Sequence, residues 1–422
     1  MQLALLNEFI ESEAAQPKIE RVGARLEIPE AIGTIDFTHG LHRFPGKFIP
    51  QIPRYLFENY LPAKSRVLDP FCGSGTTLVE AILAGRSCVG YDIDPLSILI
   101  AKSKVRPLST SNLLRASERF GRVTWKIACA KLIPDVPNLG HWFTNEAVVQ
   151  LSALKKACLE FEGAQRTFGL VLFSSIIRRV SNADDQTQKT YVSHTHRKKP
   201  PLPRELFPII LRRAVEKMAA FGKIVTNPPN CDIRLHDSRA SFADTLFDDV
   251  VTSPPYIDSI DYVYNQMLEY FWLLPELGLK SHDDFRTLRK RPMGMVKSTG
   301  DLPEAIEERL PLFREICNKI ESESFKEAQA VRTFFRDYAK HVAEISKAQK
   351  RKGVYATVVA SSLIRGQVVP TPDALVAIHE SLGYELIDRF SYGIKRHYMK
   401  FPRRQNSSKI IEDNVLVFRL RT

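Results

Sequence analysis

The sequence predicts an α/β fold: a mostly parallel sheet with helices on both faces, interrupted by a mainly helical insertion. Three observations predict it. A strand, turn, helix and second strand run through "SRVLDPFCGSGTTLVEAILAGRSCVGYDIDP", Ser65 to Pro95. Strands associated with acids return after Cys231, in "DIRLHD" and "DDVVTSPPY". Between about Arg106 and Cys231 the alternation is lost and apolar residues fall at helical spacing. A βαβ unit needs parallel strands and a right-handed crossover, so the first observation sets the sheet type.

Taken in order, "RVLD" is the first strand and "PFCGSG" a glycine turn. "TTLVEAILAG" is a helix closed by Gly85, and "SCVGYD" the second strand. Asp69 ends the first strand and Asp92 the second. Gly73 and Gly75 let the backbone approach a ligand where a side chain would collide. Asp92 stands where this architecture places a ribose-binding acid. Thr76 and Thr77 follow the glycines in place of a P-loop lysine, and Leu78 replaces the third glycine of a dinucleotide turn. A nucleoside without phosphates fits this pattern. A tight turn that binds nothing fits the glycines equally well.

In the insertion, "HWFTNEAVVQLSALKKACLEF" reads as a helix starting near Thr144 or Asn145, and "TFGLVLFSSIIRRV" as another. "SNADDQTQKTYVSHTHRKKPPLPR" is an exposed loop with a basic cluster, Arg197, Lys198 and Lys199. His141, Trp142 and Phe143 suit either contact with a partner or the buttressing of a helix, and burial is the commoner fate of Trp and Phe.

The sheet resumes at "DIRLHD", a short strand ending in Asp237. "DDVV" follows and stops at two prolines, which cannot donate to a sheet ladder. "YVYNQMLEYFWLLPEL" is helical, and a long helix is expected over about Glu321 to Lys350. "VYATVVAS", "GYELIDRFSYG" and "NVLVFRL" are further strands. A second double proline, "TNPPN", has Asn230 where an aromatic would stand, and reads as a loop entering the sheet.

Composition narrows the function. The chain has 422 residues and a net charge of +12, which suits a polyanionic partner as well as a merely soluble basic surface. Six cysteines with no Cys-x-x-Cys pair argue against a zinc site or disulfide framework and for a reducing cytosol. No apolar run is long enough to span a bilayer, and the acidic N-terminus is unlike a signal peptide.

"LDPFCGSGTTLVEA" together with "VVTSPPY" resembles the S-adenosylmethionine-dependent amino-group DNA methyltransferases, most closely the branch acting on the exocyclic N4 of cytosine. "HGLHRFPGKFIPQIPRYL" resembles that family's segment before the glycine turn. The resemblance covers His39 to Ala101 and Asp237 to Tyr270, and is weaker at "VVASSLIRG" and "NVLVFRL". It implies a Rossmann-like methyltransferase sheet of seven strands. It also implies a division into an N-terminal extension (1–35), a discontinuous catalytic domain (36–105 and 232–422) and the helical insertion (106–231), a candidate DNA-recognition region. The glycine turn precedes the proline corner here, whereas many cytosine-N4 enzymes have the reverse order.

Carried across, the resemblance implies that Asp69, Phe71, Gly73 and Gly75 hold the methionine part of S-adenosylmethionine. Asp92 would take the ribose hydroxyls and Asp237 the adenine amino group, with Lys47 and Phe48 closing the pocket. Ser253, Pro254, Pro255 and Tyr256 would form the methyl-transfer site, Tyr256 stacking on a base rotated out of the duplex. The competing reading of Tyr256 is a core aromatic. Lys395, Arg396, Arg403 and Arg404, in an acid-free segment interleaved with aromatics, suit double-stranded DNA. A solvated basic hairpin competes with that reading. No metal is expected. A cognate restriction endonuclease, a monomeric or dimeric state and a bacterial or archaeal cytoplasm, on the nucleoid through DNA, accompany the resemblance. Adenine-N6 methylation, RNA methylation and an inactive DNA-binding scaffold are the alternatives. Cytosine-C5 chemistry would require a cysteine nucleophile, typically after proline, and the chain has no Pro-Cys pair.

Overall fold

Val67 and Leu68 are adjacent and fully buried, yet they belong to two different hydrophobic cores. The same split separates Cys88 from Val89, Val251 from Val250, and Val417 from Phe418. Successive side chains of a strand point to opposite faces, so these pairs mark a sheet buried on both sides. The structure is a computed structural model and describes residues 19–28, 33–44, 46–185, 189–195, 198–257, 261–295, 300–393 and 412–421.

The described strands are β1 (Glu20–Val22), β2 (Arg25–Glu27), β3 (Val67–Asp69), β4 (Cys88–Asp92), β5 (Cys231–Leu235) and β6 (Asp249–Thr252). They continue with β7 (Val354–Val359), β8 (Ser362–Ile364), β9 (Gln367–Val369), β10 (Tyr384–Gly393) and β11 (Glu412–Leu420). Nine form one sheet in the order β1-β2-β10-β11-β7-β6-β3-β4-β5. Strands β5, β4, β3, β6 and β7 are mutually parallel, and β11 runs antiparallel to both β7 and β10. The expected seven strands are those from β10 to β5. The β1–β2 hairpin, in the stretch expected to be an N-terminal extension, lengthens this sheet to nine. Arg25 registers with Ser391 of β10, and an Arg21–Asp388 ion pair fastens the hairpin.

One core is covered by helices Gln51–Asn59, Thr76–Leu83, Pro95–Val105, Asn145–Leu159, Gly163–Val180 and Pro203–Ile224. Helices Leu312–Glu323, Phe325–Ala348 and Thr371–Ser381 cover the other. The helical insertion therefore packs into the same core as the first βαβ unit, through residues such as Leu151, Phe173 and Met218. Phe143 is buried edge-on against Trp272, while His141 is exposed. The long helix expected over 321–350 divides at Ser324. That residue has extended backbone (φ −158°), and its side chain accepts from the Glu327 N–H, which starts a new helix at Phe325. "TNPPN" is an exposed loop leading into β5, as its residues suggest; the Asn230 carbonyl accepts from the Cys88 N–H.

Gly75 caps helix Thr76–Leu83 at φ +84°, and a Cβ there would stand 3.1 Å from the Ala101 Cβ. Gly75→Ala combines a left-handed backbone with a forced separation of two helices. It should lower stability by about 1–3 kcal/mol, read from the denaturant midpoint.

Candidate active site

The chain leaves β3 towards β4 on one side, while β6 pairs with β3 on the other. Such a switch point opens a crevice at the carboxyl ends of the strands. A cavity lies there. Eight of the residues singled out from sequence line it: Lys47, Phe48, Phe71, Gly73, Asp92, Asp237, Ser253 and Pro255. Phe44, Asp94, Arg239, Tyr262 and Arg291 to Met293 complete much of the wall. Asp69, Gly75, Pro254 and Tyr256 are not among the lining residues.

Asp69 is fully buried. Its Oδ1 accepts from the Thr252 hydroxyl at 2.6 Å and the Phe71 N–H at 3.1 Å. Burial pushes its pKa up to about 6, against the pull of the Thr252 hydrogen bond. Its carboxylate thus joins the end of β3 to the end of β6 instead of facing the cavity. Gly75 likewise serves helix packing, as above, whereas Gly73 turns at φ +47° on the cavity wall.

Asp92 shapes the glycine turn. Its Oδ2 accepts from the Gly73 N–H and its Oδ1 from the Asp94 N–H, both at 2.9 Å. Each carboxylate oxygen can accept a second hydrogen bond, so capacity for ligand hydroxyls remains. Withdrawal from water, then the neighbouring Asp94 charge, raises the Asp92 pKa above the ordinary carboxylate range. Asp94 caps helix Pro95–Val105 through the N–H groups of Leu96 and Ser97, and Tyr270 donates to the same oxygen. Its other oxygen, Oδ2, is buried without a hydrogen-bond partner among the described residues.

Asp237 lies two residues beyond the end of β5 rather than at its tip. Arg239 grips it: Oδ1 accepts from the Arg239 N–H and Nε, and Oδ2 from Nη2 at 2.8 Å. Burial favours a raised pKa, but the Arg239 contacts outweigh it and the Asp237 pKa is lowered. One lone pair of Oδ2 stays open to an amino donor. Arg239 is itself held by Asp337 and the Arg291 carbonyl.

The Phe71 ring rests edge-on against His341, with centroids 4.7 Å apart. His341 is buried, which lowers its pKa to about 4 and keeps it neutral. Its Nδ1 lies 3.0 Å from the Ser238 carbonyl, which can only accept, so Nδ1 carries the proton and Nε2 accepts from the Tyr355 hydroxyl. On the opposite wall, Lys47 Nζ donates to the His39 carbonyl; burial, then Lys217, lowers its pKa to about 8.

The proline corner is anchored at three side chains. Thr252 donates to Asp69 on β3, Ser253 Oγ donates to the Val358 carbonyl on β7 at 3.2 Å, and the Tyr256 hydroxyl donates to Asp413 on β11 at 2.7 Å. Pro254 is buried and Pro255 faces the cavity, and neither has an N–H to satisfy. Ser253 donates to Val358 with the Tyr256 hydroxyl as a further neighbour, and its oxygen lone pairs are placed at the cavity wall.

The basic positions fare differently. Arg197, Lys395, Arg396, Arg403 and Arg404 lie outside the described residues. Lys198 is not a surface cation: its Nζ donates inward to the carbonyls of Arg178 and Ala183, and burial lowers its pKa to about 8. Lys199 is exposed. Among the described residues, no group of three His, Cys, Asp or Glu side chains could hold a metal ion. No helix among them is long and apolar enough to cross a membrane.

The donor set fits S-adenosylmethionine. The orphaned Asp94 oxygen and the spare capacity of Asp92 suit hydroxyls, and Asp237 suits an amino group. Lys47 suits a carboxylate, and Phe44, Phe48, Phe71 and Met293 make an apolar wall for a ring. Residues 23–103 match the DNA methylase family of N6 and N4 amino-methyltransferases. Over 406 residues the chain is 27% identical to the type II methyltransferase M.MvaI of Kocuria varians, covering 89% of this chain and 87% of that one. It is 40% identical over 75 residues to M.MjaII of Methanocaldococcus jannaschii, covering 18% of this chain and 14% of that one. An rRNA methyltransferase, AviRa from Streptomyces viridochromogenes, aligns over 92% of this chain and 90% of that one at TM-score 0.31 and 14% identity. The cavity and these likenesses agree on S-adenosylmethionine as the cofactor, and they make the chain similar to type II DNA methyltransferases over most of its length and to the DNA methylase family over residues 23–103.

Proposed function

We propose that the protein methylates the exocyclic N4 of a cytosine rotated out of double-stranded DNA, at a specific site, within a restriction–modification or related system. The observation that carries this reading is Ser253, an acceptor hydroxyl fixed on the wall of the cofactor cavity. An exocyclic amino nitrogen is a poor nucleophile because its lone pair is delocalised into the ring. Hydrogen bonds from that amino group to Ser253 Oγ and to the Pro254 carbonyl draw the nitrogen towards tetrahedral geometry. Its lone pair can then form the new bond to carbon as the carbon–sulfur bond breaks, and one amino proton is released. When bound, S-adenosylmethionine supplies the electrophilic methyl group. The protein supplies preorganised acceptors, held by bonds to β3, β7 and β11 before any substrate arrives.

A nucleophilic cysteine is not needed for this chemistry. Cys72, in the glycine turn, is buried with its thiol pKa pushed well up by burial, the opposite of an activated thiolate. For the DNA backbone, exposed cations stand on the helical layer at Arg179, Lys199 and Arg213. Likeness to type II methyltransferases supports a DNA substrate and the restriction–modification setting.

The test is incubation with methyl-labelled cofactor and duplex DNA, followed by digestion to nucleosides. Label in N4-methylcytosine is the expected result. Label only in N6-methyladenine overturns the choice of base and spares the reaction class, because the same acceptors serve either amino group. Transfer to RNA in place of DNA overturns the polymer.

A further inference from the structure

The proline corner is tied to a residue outside every motif described so far. Asp413, the second residue of β11, is 6% exposed and stands opposite Tyr392 in the β10–β11 ladder. Two phenols converge on it. The Tyr256 hydroxyl donates to Oδ1 at 2.7 Å, and the Tyr392 hydroxyl donates to Oδ2 at 2.8 Å. Burial raises the Asp413 pKa, and the two hydroxyls oppose it. Sheet stability alone does not call for a carboxylate here, since an apolar residue would be buried at less desolvation cost. The two prolines stiffen the chain leading to Tyr256 but leave its ring torsions free. A bond at the far end of the ring is what holds the plane.

We propose that Asp413 is a positioning residue for methyl transfer. Through the Tyr256 hydroxyl it fixes the ring against which the target base stacks, and the Tyr392 hydroxyl holds the second oxygen so that the carboxylate cannot swing away. This rests on the reading of Tyr256 as the stacking residue of a DNA methyltransferase. Asp413 is not among the residues lining the cavity, and its part in transfer runs through the Tyr256 hydroxyl.

A double-mutant cycle separates this from a merely structural role. Asp413→Ala, Tyr256→Phe and the double variant are compared with the full-length wild type in methyl transfer to duplex DNA. Cofactor affinity and melting temperature are measured in parallel. Each single change should lower kcat about tenfold, the loss of one charge-assisted hydrogen bond, with cofactor Kd unchanged. The double variant should be no slower than the slower single one. Asp413→Asn, whose amide oxygen still accepts from Tyr256, should recover part of the rate. If Asp413→Ala fails to fold, the Asp413→Asn and Tyr256→Phe cycle gives the same readout. Multiplicative losses in the cycle, or an unchanged kcat in Asp413→Ala, overturn the positioning role. A wild type that transfers no methyl group to DNA overturns the underlying reading as well.

Discussion

Ser253→Ala should bind S-adenosylmethionine as the wild type does and lose about 10²-fold or more in kcat, the scale seen when one preorganised polar group of a transition-state site is removed. The hydroxyl donates to the Val358 carbonyl, so the variant loses an acceptor whose direction was set in advance. Ser253 is only one of many residues lining the cavity, and the carboxylates suited to the cofactor, Asp92, Asp94 and Asp237, lie in other segments. Cofactor affinity by calorimetry should therefore move by no more than about twofold, while single-turnover transfer to DNA collapses. A split in the other sense, with Kd raised and kcat unchanged, would remove Ser253 from the chemical step. The buried Pro254 and the Thr252–Asp69 bond remain, so the backbone of the corner should keep its course.

Asp92→Ala should weaken cofactor binding about 10²-fold, since hydrogen bonds to a charged acceptor contribute about 1.5–3 kcal/mol each. The loss has two sources. Ligand hydroxyls lose their acceptor, and the N–H groups of Gly73 and Asp94 lose the oxygens that hold the glycine turn. The pH dependence follows with a definite sign. The folded Asp92 pKa lies above its unfolded value because the carboxylate is withdrawn from water beside Asp94. In the ligand-free protein this group therefore favours folding most at pH below the unfolded value, and that contribution is lost as pH rises through the folded pKa. A ligand that donates hydrogen bonds to the ionised carboxylate reverses the preference. Affinity should fall as pH drops through the raised pKa, at higher pH than an ordinary Asp would show. Binding from below that point should release protons. Calorimetry in buffers of different ionisation enthalpy measures that release, and a pH-independent affinity in the wild type would remove Asp92 as an acceptor. Asp92 and Asp94 titrate as a pair, so the midpoint is a property of both.

The site was legible in the sequence to the extent that it is built from chain punctuation. The glycine turn, the acid ending β4 and the proline corner each lie where a strand stops, and strand ends are marked by Gly, Asp and Pro for local steric reasons. One further signal was there to be used: Asp94 followed by Pro95 is an N-cap and first-turn pair, and Asp94 does cap its helix on the cavity wall. His341, Arg239 and Asp413 carried no such mark. His341 lies within an amphipathic helix, Arg239 among ordinary loop polar residues, and Asp413 at the polar start of a strand. Each has at least one partner far away in the chain: Asp337 beside Arg239, Ser238 beside His341, Tyr256 beside Asp413.

Local sequence was enough for the α/β class, the parallel sense of the first βαβ unit, the acids ending β3 and β4 and the reading of "TNPPN" as a loop. Each depends on backbone preferences and periodicity that act over a few residues. The folded arrangement alone assigned the work of individual side chains. It placed Asp69 on Thr252, Gly75 against Ala101, and Lys198 on buried carbonyls. It also drew the β1–β2 hairpin into the sheet and merged the helical insertion with the core. A carboxylate or ammonium has the same local pattern whether it faces a cavity or a neighbouring strand. Its partner is chosen when distant segments pack and every buried polar group must find a hydrogen bond.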